Sequence, residues 1–361
     1  MYLVDEFNNV PMSKIGLAIL FFLFSFFSPA QKKEIPKVEV LTSGTKTSLR
    51  GLSVVSDAIV WVSGSNGTVG KTTDGGKNWK WFSVKGFEKT EFRDIEAFDA
   101  STAIIMGVGE PAYILRTVDA GETWKVVYEN RTKGIFLDAM EFWNEQSGIV
   151  MGDPINQKIF VVRTFDGGKT WKDVPENYRP VADSGEACFA ASGTNVRALD
   201  NDEAVFITGG RTSNVFVRDQ KTKLPITQGR ETTGANSIAV WDRYRKKGGD
   251  HLVVVGGDFE NPNSDSMNCC YSTNRGKTWK TSKTPPHGYR SCVEYLADDI
   301  LVSCGLNGVD YSIDNAATWK WISKESFHVC RIAKLGKTVY LAGGNGKVGK
   351  LDYQYSGKKK E

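Results

Sequence analysis

Five stretches of this chain repeat one eight-residue motif: Thr72-Thr-Asp74-Gly-Gly-Lys-Asn-Trp79, Thr117-Val-Asp119-Ala-Gly-Glu-Thr-Trp124, Thr164-Phe-Asp166-Gly-Gly-Lys-Thr-Trp171, Ser272-Thr-Asn274-Arg-Gly-Lys-Thr-Trp279 and Ser312-Ile-Asp314-Asn-Ala-Ala-Thr-Trp319. Asp or Asn can hold a tight turn by bonding the backbone two residues on. The Gly that follows supplies a positive φ without steric cost, and the Trp packs a large apolar surface. The motif therefore predicts a β-hairpin, with a distorted turn in the fifth copy because Ala316 replaces the Gly.

The anchor tryptophans recur at a nearly constant spacing. Successive positions are separated by 45, 47, 108 and 40 residues, so the long gap spans about two periods and contains one unit without the motif. Residues 218–225 are the predicted degenerate turn of that unit. A period of this length with four short strands is typical of a propeller blade. The sequence therefore predicts an all-β, seven-bladed propeller of four-stranded antiparallel blades.

Each predicted unit opens with two alternating strands between turn residues. In chain order the pairs are 52–55 with 58–63, 95–98 with 102–106, 139–142 with 147–151, 186–191 with 204–208, 237–241 with 251–255, 290–295 with 300–303 and 329–333 with 338–342. The seventh unit lacks a fourth strand before the chain ends. We predict that residues 37–41, near the N-terminus, complete this blade and close the ring, because closure removes exposed strand edges.

An apolar segment near the N-terminus predicts export. Lys14 precedes the apolar run 15–27, and residues 28–30 (Ser-Pro-Ala) end in a small residue suited to cleavage. The run of 13 residues is too short to span a bilayer comfortably. The predicted organisation is an upstream extension and signal peptide over 1–30, the propeller over 31–355 and a basic tail over 356–361. We expect the mature protein in the periplasm, at the cell surface or secreted, without a stable membrane span.

Composition argues against nucleic-acid partners, metals and cofactors. Removal of residues 1–30 changes the formal net charge only from +4 to +5, and no basic stripe occurs. The three His lack HxH or HExxH spacing and the six Cys lack CxxC spacing, so no metal site is predicted. Residues 344–349 match GxGxxG but lie in a hairpin repeat rather than a βαβ unit, so no dinucleotide cofactor is predicted.

All six cysteines lie from residue 188 onward. Cys292 and Cys304 fall on neighbouring strands of one blade and could form a disulfide after export. Cys188 and Cys330 fall on predicted inner strands. The simpler alternative is that these cysteines are small buried apolar residues.

Propeller topology places the candidate binding residues on one rim. In a four-stranded meander the start of the inner strand and the end of the second strand share one face, and the repeated hairpin lies on the opposite face. The charged and aromatic residues near those positions are Arg50, Arg93, Asp153, Glu186, Asp258, Tyr289, Arg290, His328 and Arg331. Convergent arginines suit carboxylates, phosphates or acidic peptides. Alternatively, these charges only satisfy one another in salt bridges across the channel mouth.

Arg50 and Arg93 occupy equivalent positions in their blades. Each stands 14 residues before the Gly that ends its hairpin, and the same count in the third blade reaches Asp138. Several blades are therefore expected to project charged groups around one axis.

Further segments resemble one family. They are Gly152-Asp153-Pro154, Gly185-Glu-Ala-Cys-Phe-Ala-Ala-Ser-Gly193, Gly256-Gly-Asp258-Phe259, Gly288-Tyr-Arg-Ser291 and Phe327-His328. The eight-residue motif itself resembles the Asp-box, or BNR repeat. Over about residues 37–352 the chain is similar to the exported bacterial relatives of the photosystem II stability/assembly factor, which are seven-bladed propellers.

The resemblance implies a chaperone or scaffold that binds a client protein through an arginine patch. Arg50 and Arg93 are the best matches to that patch, and Asp138 departs from it. Members from non-photosynthetic bacteria often carry an oxidoreductase label, but the residues of this chain offer no redox chemistry to support it.

Three classes of function remain open from the sequence. The leading one is a non-enzymatic envelope propeller that presents its rim to a protein or peptide client, because rigid blades carry independently variable loops. The enzymatic alternative is a sialidase-like glycosidase, which needs an arginine triad, a Tyr–Glu pair and an Asp. Residues of these types are Arg50, Arg93, Arg290, Tyr289, Glu186 and Asp153. However, the Arg-Ile-Pro segment expected early in sialidases is missing. The third is a passive structural or matrix-attached protein.

Overall fold

The computed structural model describes residues 35–43, 45–200, 202–218, 220–241 and 249–353. They form seven antiparallel sheets, and the helical elements among them are two 3₁₀ turns, Glu176–Tyr178 and Gly344–Gly346. The all-β, seven-bladed prediction is therefore confirmed. The predicted signal segment 1–30 and the tail 356–361 lie outside the described residues. No helix in the described ranges is long and apolar enough to span a membrane.

The strands are short and follow one another as meanders. In chain order they are β1 (Lys37–Thr42), β2 (Leu49–Val54), β3 (Val60–Gly64), β4 (Thr68–Thr72), β5 (Lys80–Ser83), β6 (Phe92–Ala97), β7 (Ala103–Gly107), β8 (Ala112–Thr117), β9 (Lys125–Asn130), β10 (Leu137–Phe142), β11 (Gly148–Ile155), β12 (Lys158–Thr164), β13 (Lys172–Asp173), β14 (Glu186–Ala187), β15 (Val196–Ala198), β16 (Ala204–Ile207), β17 (Gly209–Gly210), β18 (Asn214–Val217), β19 (Gln220–Lys223), β20 (Thr233–Val240), β21 (Leu252–Asp258), β22 (Cys269–Ser272), β23 (Lys280–Thr281), β24 (Cys292–Ala297), β25 (Ile300–Gly305), β26 (Gly308–Ser312), β27 (Lys320–Ser323), β28 (Val329–Ile332), β29 (Val339–Ala342) and β30 (Val348–Asp352).

Seven blades result from this order. From the inside outwards they are β2–β5, β6–β9, β10–β13, then β15, β16, β18 and β19, then β20–β23, β24–β27, and finally β28, β29, β30 and β1. The fifth blade carries β17 and β14 as two additional short strands beside β20.

The N-terminal strand closes the ring. β1 pairs antiparallel with β30, from Lys37 opposite Asp352 to Val40 opposite Gly349. The innermost strands of the first and seventh blades, β2 and β28, are also in contact. The prediction that residues 37–41 complete the last blade is confirmed, and the edge of β30 is thereby paired rather than exposed.

The core consists of apolar layers between consecutive blades. Ile104 and Met106 of the second blade, for example, pack with Met140 and Val150 of the third. Burying such a side chain contributes about 1.5–3 kcal/mol relative to leaving it exposed. Because each blade needs its neighbours to cover its faces, the blades stabilise one another around the ring.

The repeated hairpins connect the third and fourth strands of their blades, as predicted. In the first copy the Thr72 hydroxyl donates to the Asp74 carboxylate at 2.8 Å and accepts from the Gly76 N–H at 3.1 Å. The Asp74 carboxylate accepts the Asn78 N–H, four residues on rather than the predicted two, at 3.0 Å. The same contacts recur in the other four copies. Among the anchors, Trp171 is buried.

The remaining anchors also pack into the core. Trp319 is buried, and Trp79, Trp124 and Trp279 are partly buried against apolar clusters.

The expected distortion at Ala316 does not occur. Ala316 has a φ of 67°, close to the 74° of Gly276 in the preceding copy. Its N–H donates to the Ser312 hydroxyl at 3.1 Å. Ala316 is fully buried, so hydrogen bonding and packing hold this residue in the left-handed region.

The prediction of the inner strand of the fourth blade is wrong. That strand is β15, paired with Val196 opposite Phe206, and not residues 186–191. β14 pairs with β17 beside the fifth blade instead. Val196 of β15 and Val205 and Ile207 of β16 are buried in apolar clusters, whereas residues 188–191 belong to no strand. The predicted turn 218–225 is also shorter than expected, because β19 occupies four of its positions.

Candidate functional site

Equivalent residues mark the start of several inner strands. The N–H groups of Leu49, Leu137, Arg290 and Phe327 each donate to a carbonyl within two residues of the end of the second strand of the preceding blade, over 2.8–3.2 Å. The chain therefore enters these four blades in the same way, at the face opposite the repeated hairpins.

A β-bulge follows this position in four blades. The register shifts at Arg50, Arg93, Asp138 and Asn236, each of which stands unpaired between two paired residues. A bulge redirects the side chain of its extra residue. Arg50, Arg93 and Asn236 line one cavity at the channel mouth.

A segment from another part of the chain crosses this mouth. We call residues 187–193 the plug. The Cys188 N–H donates to Asp153 of the third blade at 2.8 Å, and the Ala191 carbonyl accepts from Arg50 of the first blade at 3.2 Å. The Gly193 carbonyl accepts from Arg331 of the seventh blade at 3.2 Å. The plug therefore connects blades that lie apart in the ring.

Gly193 cannot be replaced without disturbing the plug. Its φ is 63°, and a Cβ there would lie 2.2 Å from the Asp94 carboxylate. Asp94 is itself buried and accepts the Met140 N–H at 2.7 Å and the Ile95 N–H at 2.8 Å. Burial raises the pKa of Asp94 to about 8.

The plug and the bulge residues enclose a cavity of about 420 Å³, which we call the mouth pocket. It is lined by Arg50, Arg93, Phe136, Asp153, Ala187, Cys188, Phe189, Ala190, Ala191, Asn236, Phe259, Tyr289, Ser291, Leu306 and His328. Five of the nine predicted rim residues are in this lining, together with an aromatic wall that the sequence reasoning missed.

The two arginines of the mouth pocket differ in their partners. Within the described ranges, Arg50 makes one hydrogen bond, to the Ala191 carbonyl, and has no carboxylate at ion-pair distance. Burial and then the positive charge of Arg93 lower the pKa of Arg50. Arg93 pairs with Glu91 at 2.6 Å, and its guanidinium lies 5.7 Å from the ring centre of Phe136. A guanidinium has five N–H donors, so most of those on Arg50 remain available.

The other polar residues of the mouth pocket are uncharged or weakly acidic. Burial, together with Arg50 and Arg93, lowers the pKa of His328 to about 3, so its imidazole is neutral. The Tyr289 hydroxyl donates to Asn236 at 2.8 Å. Burial raises the pKa of Asp153 to about 6.

Asp138 lies behind the pocket wall, close to the lining residues Asp153 and Cys188. Burial and then the charge of Asp153 raise the pKa of Asp138 well above its ordinary range. Burial likewise raises the pKa of the Cys188 thiol. The ligand atoms of the three residues all lie within 4.8 Å of one another. All six cysteines are free and buried.

Four predicted rim residues lie outside the mouth pocket, where they satisfy other charges. Glu186 accepts from Lys221 at 2.8 Å, and Asp258 pairs with Arg230. Arg290 pairs with Asp310, and Arg331 lies 3.6 Å from Glu294. Their partners are Lys221, Arg230, Asp310 and Glu294, so these four residues form salt bridges with residues outside the predicted rim set rather than with one another.

A one-residue offset explains the placement of Arg290. It occupies the position of Leu49, Leu137 and Phe327, all of which are buried between blades, and Ser291 takes the position of Arg50. Because neighbouring residues of a strand point to opposite sides, this offset turns the guanidinium away from the mouth. Arg290 is fully buried and donates to Asp310 at 2.7 Å.

Arg331 lies deeper in the channel. It stands three residues after His328, and Glu141 and Glu294 stand three residues after Asp138 and Ser291. Arg197 joins this tier through Glu141 at 3.5 Å and Glu294 at 3.3 Å. The deeper tier is thus internally paired, unlike Arg50 above it.

The residues proposed for a glycosidase do not assemble. Arg290 faces Asp310, Glu186 faces Lys221, and the Tyr289 hydroxyl is bonded to Asn236. The arginine triad and Tyr–Glu pair that this alternative requires are therefore not formed by these residues.

The comparisons with known proteins agree with this fold. Residues 30–134 match the family model described as photosynthesis system II assembly factor YCF48. No curated protein gave a match. One similar solved structure is described as YCF48 bound to D1 peptide, with a TM-score of 0.63, 16% identity, and coverage of 91% of this chain and 99% of that one.

Two further solved structures have the same fold. YCF48 from Cyanidioschyzon merolae matches with a TM-score of 0.62 and 15% identity, covering 87% of this chain and 98% of that one. The WD40 β-propeller domain of Doa1 matches with a TM-score of 0.59 and 14% identity, covering 89% and 98%. At these identities the likeness concerns the fold.

Proposed function

We propose that this seven-bladed propeller, of which residues 30–134 match the YCF48 family model, is a non-enzymatic assembly factor or scaffold that binds a protein or peptide client at the mouth pocket. In this proposal Arg50 and Arg93 bind a carboxylate of the client. The solved relative described as bound to a D1 peptide supports peptide binding by a propeller of this type.

The observation that carries the proposal is that the guanidinium of Arg50 has no carboxylate partner among the described residues. Its neighbours Arg290 and Arg331 have carboxylate partners, whereas Arg50 has one backbone carbonyl. Burying a cation without an anion is unfavourable in free energy. A client carboxylate would supply the missing partner, in the bidentate geometry that arginine favours.

The rest of the mouth pocket suits an extended peptide. Phe136, Phe189 and Phe259 supply apolar wall, and Asn236 supplies a polar group among them. Ligand sites commonly combine such a wall with few polar groups that fix orientation.

The place of action in this proposal is the cell envelope. The support is the apolar run 15–27 with its small-residue end at Ala30, which is typical of a cleaved export signal.

The test compares two charge-matched double variants of the mature chain. Arg50→Gln/Arg93→Gln removes the pocket cations, and Arg131→Gln/Arg211→Gln removes two exposed arginines outside the pocket lining. Each protein is used to select from a peptide library, and affinities of the selected peptides are measured by fluorescence anisotropy.

We expect the wild type and the control to select the same acidic peptides, and the pocket variant to bind them at least about tenfold more weakly. A hydrogen-bonded charge pair contributes about 1.5–3 kcal/mol, and 1.4 kcal/mol is a factor of ten. Equal affinities for all three proteins would place the client site outside the mouth pocket.

A further inference from the structure

Three potential metal ligands from separate segments meet at the wall of the mouth pocket. Asp138 is the bulge residue at the start of β10, Asp153 lies in β11, and Cys188 lies on the plug. Their ligand atoms are within 4.8 Å of one another. Two ligands of one Zn²⁺ lie about 3–4 Å apart because each bond is about 2.0–2.3 Å long. Rotations that move these atoms by about 1 Å would complete such a site.

Asp138 is an unsatisfied group at the centre of this arrangement. It is fully buried, and among the described residues neither of its oxygens meets a hydrogen-bond donor at normal geometry. The backbone N–H groups of Ala190 and Asp153 lower the pKa of Asp138 without reaching that geometry. A buried carboxylate without a partner is strongly unfavourable, so the native protein needs a positive charge or a proton there.

Ion pairs do not supply that charge. Among the described residues, neither Asp138 nor Asp153 forms an ion pair; Arg93 lowers the pKa of Asp138 from beyond ion-pair distance and is itself paired with Glu91. Asp153 accepts one backbone N–H, from Cys188. Two carboxyl groups and a thiol therefore face each other with oxygen and sulfur lone pairs to spare.

From this geometry we propose that Asp138, Asp153 and Cys188 bind one divalent transition-metal ion of the Zn²⁺ class. A sulfur ligand disfavours Mg²⁺ and Ca²⁺, which prefer all-oxygen sites, and suits Zn²⁺. Asp153 and Cys188 also line the mouth pocket, which provides an entry path and room for a non-protein ligand. Three protein ligands with one open position are typical of Zn²⁺ sites that keep a water.

The bound ion would link the plug to the third blade. Cys188 belongs to the plug, and the two carboxylates belong to β10 and β11. Binding to the folded state alone stabilises that state, so Zn²⁺ should raise the melting temperature. This inference does not depend on client binding, since it uses neither arginine of the pocket.

The test measures Zn²⁺ binding to the purified mature chain by calorimetry, with thermal unfolding in Zn²⁺ and in chelator. Cys188→Ser and Asp138→Asn are the site variants. His251→Gln is the matched control, because His251, Asp298 and Asp299 form another cluster of possible ligands that is more exposed. Co²⁺ replaces Zn²⁺ in a parallel titration, since thiolate ligation gives an ultraviolet charge-transfer band.

We expect one Zn²⁺ per chain in the wild type and in His251→Gln, with a Zn²⁺-dependent rise in melting temperature. Affinity should fall at least about tenfold in each site variant, the range seen when a metal site loses a supporting group. The Co²⁺ band of the wild type should vanish in Cys188→Ser. The proposal is overturned if neither Zn²⁺ nor chelator changes the melting temperature of the wild type. It is also overturned if Zn²⁺ binding is lost in His251→Gln and kept in Cys188→Ser. A shared proton would then compensate the two carboxyl groups.

Discussion

Arg290 and Arg50 offer a direct comparison of two arginines that the sequence placed together. Arg290 is fully buried and donates to Asp310 at 2.7 Å and to the Tyr289 carbonyl at 2.8 Å. Asp310 is 1% exposed. The change Arg290→Ala would leave this carboxylate buried with one weak backbone donor, the His287 N–H at 3.2 Å.

The expected loss for Arg290→Ala is about 3–5 kcal/mol, the usual cost of breaking a buried pair by removing one partner. At roughly 2–4 °C per kcal/mol, this lowers the melting temperature by roughly 6–20 °C. Arg50→Ala removes one hydrogen bond, of about 1 kcal/mol, but also relieves the burial of an unpaired charge. Its net effect should therefore stay within about 1 kcal/mol.

Urea unfolding of both variants is monitored by tryptophan fluorescence, and their melting temperatures are measured by calorimetry. The double change Arg290→Met/Asp310→Leu serves as the control, because it removes both charges and should recover much of the loss. Equal destabilisation by Arg290→Ala and Arg50→Ala would refute the assignment of Arg290 to structure and of Arg50 to binding. It would also remove the main support for the mouth pocket as the client site.

Two other predictions follow from the pKa of Asp94 and from the N-terminal segment. Because burial raises the pKa of Asp94 from 3.8 to about 8, the folded state retains a proton that the unfolded state loses, so the free energy of unfolding should fall as pH rises from about 4 to about 8. Asp94→Asn should reduce the change in the free energy of unfolding between pH 5 and pH 8, measured by urea titration. Asp138 and Asp153 act in the same direction as Asp94, so part of the change should remain in the variant. An equal change in wild type and variant would contradict the argument. If residues 1–30 are a cleaved signal, N-terminal sequencing of the protein from an envelope fraction should begin at Gln31; a product that retains the apolar run 15–27 would exclude cleavage there.

Several contacts could be predicted from the sequence because they join residues that are close together in the chain. Each repeated hairpin is held by bonds within eight residues, so Thr72, Asp74 and Gly76 identify their turn wherever the rest of the chain lies. The spacing of these turns implies the blades, and the unpaired end of the last blade implies β1. The proposed binding residues Arg50 and Arg93 could also be identified from the sequence, because both occupy the same bulge position in their blades.

The tertiary structure alone decided the plug, the pairing of the rim charges and the proposed metal site. Residues 186–191 have a strand-like pattern, but Cys188 and Ala191 form hydrogen bonds with Asp153 and Arg50 of other blades at the channel mouth. Arg290 differs from Arg50 by one residue of register, which sequence counting did not resolve. Asp138, Asp153 and Cys188 lie far apart in the chain, so no spacing motif connects them. The sequence by itself determined which strands form most of the blades, because those bonds are local, but it failed for the inner strand of the fourth blade. Which side chains meet on the axis depends on closing the ring.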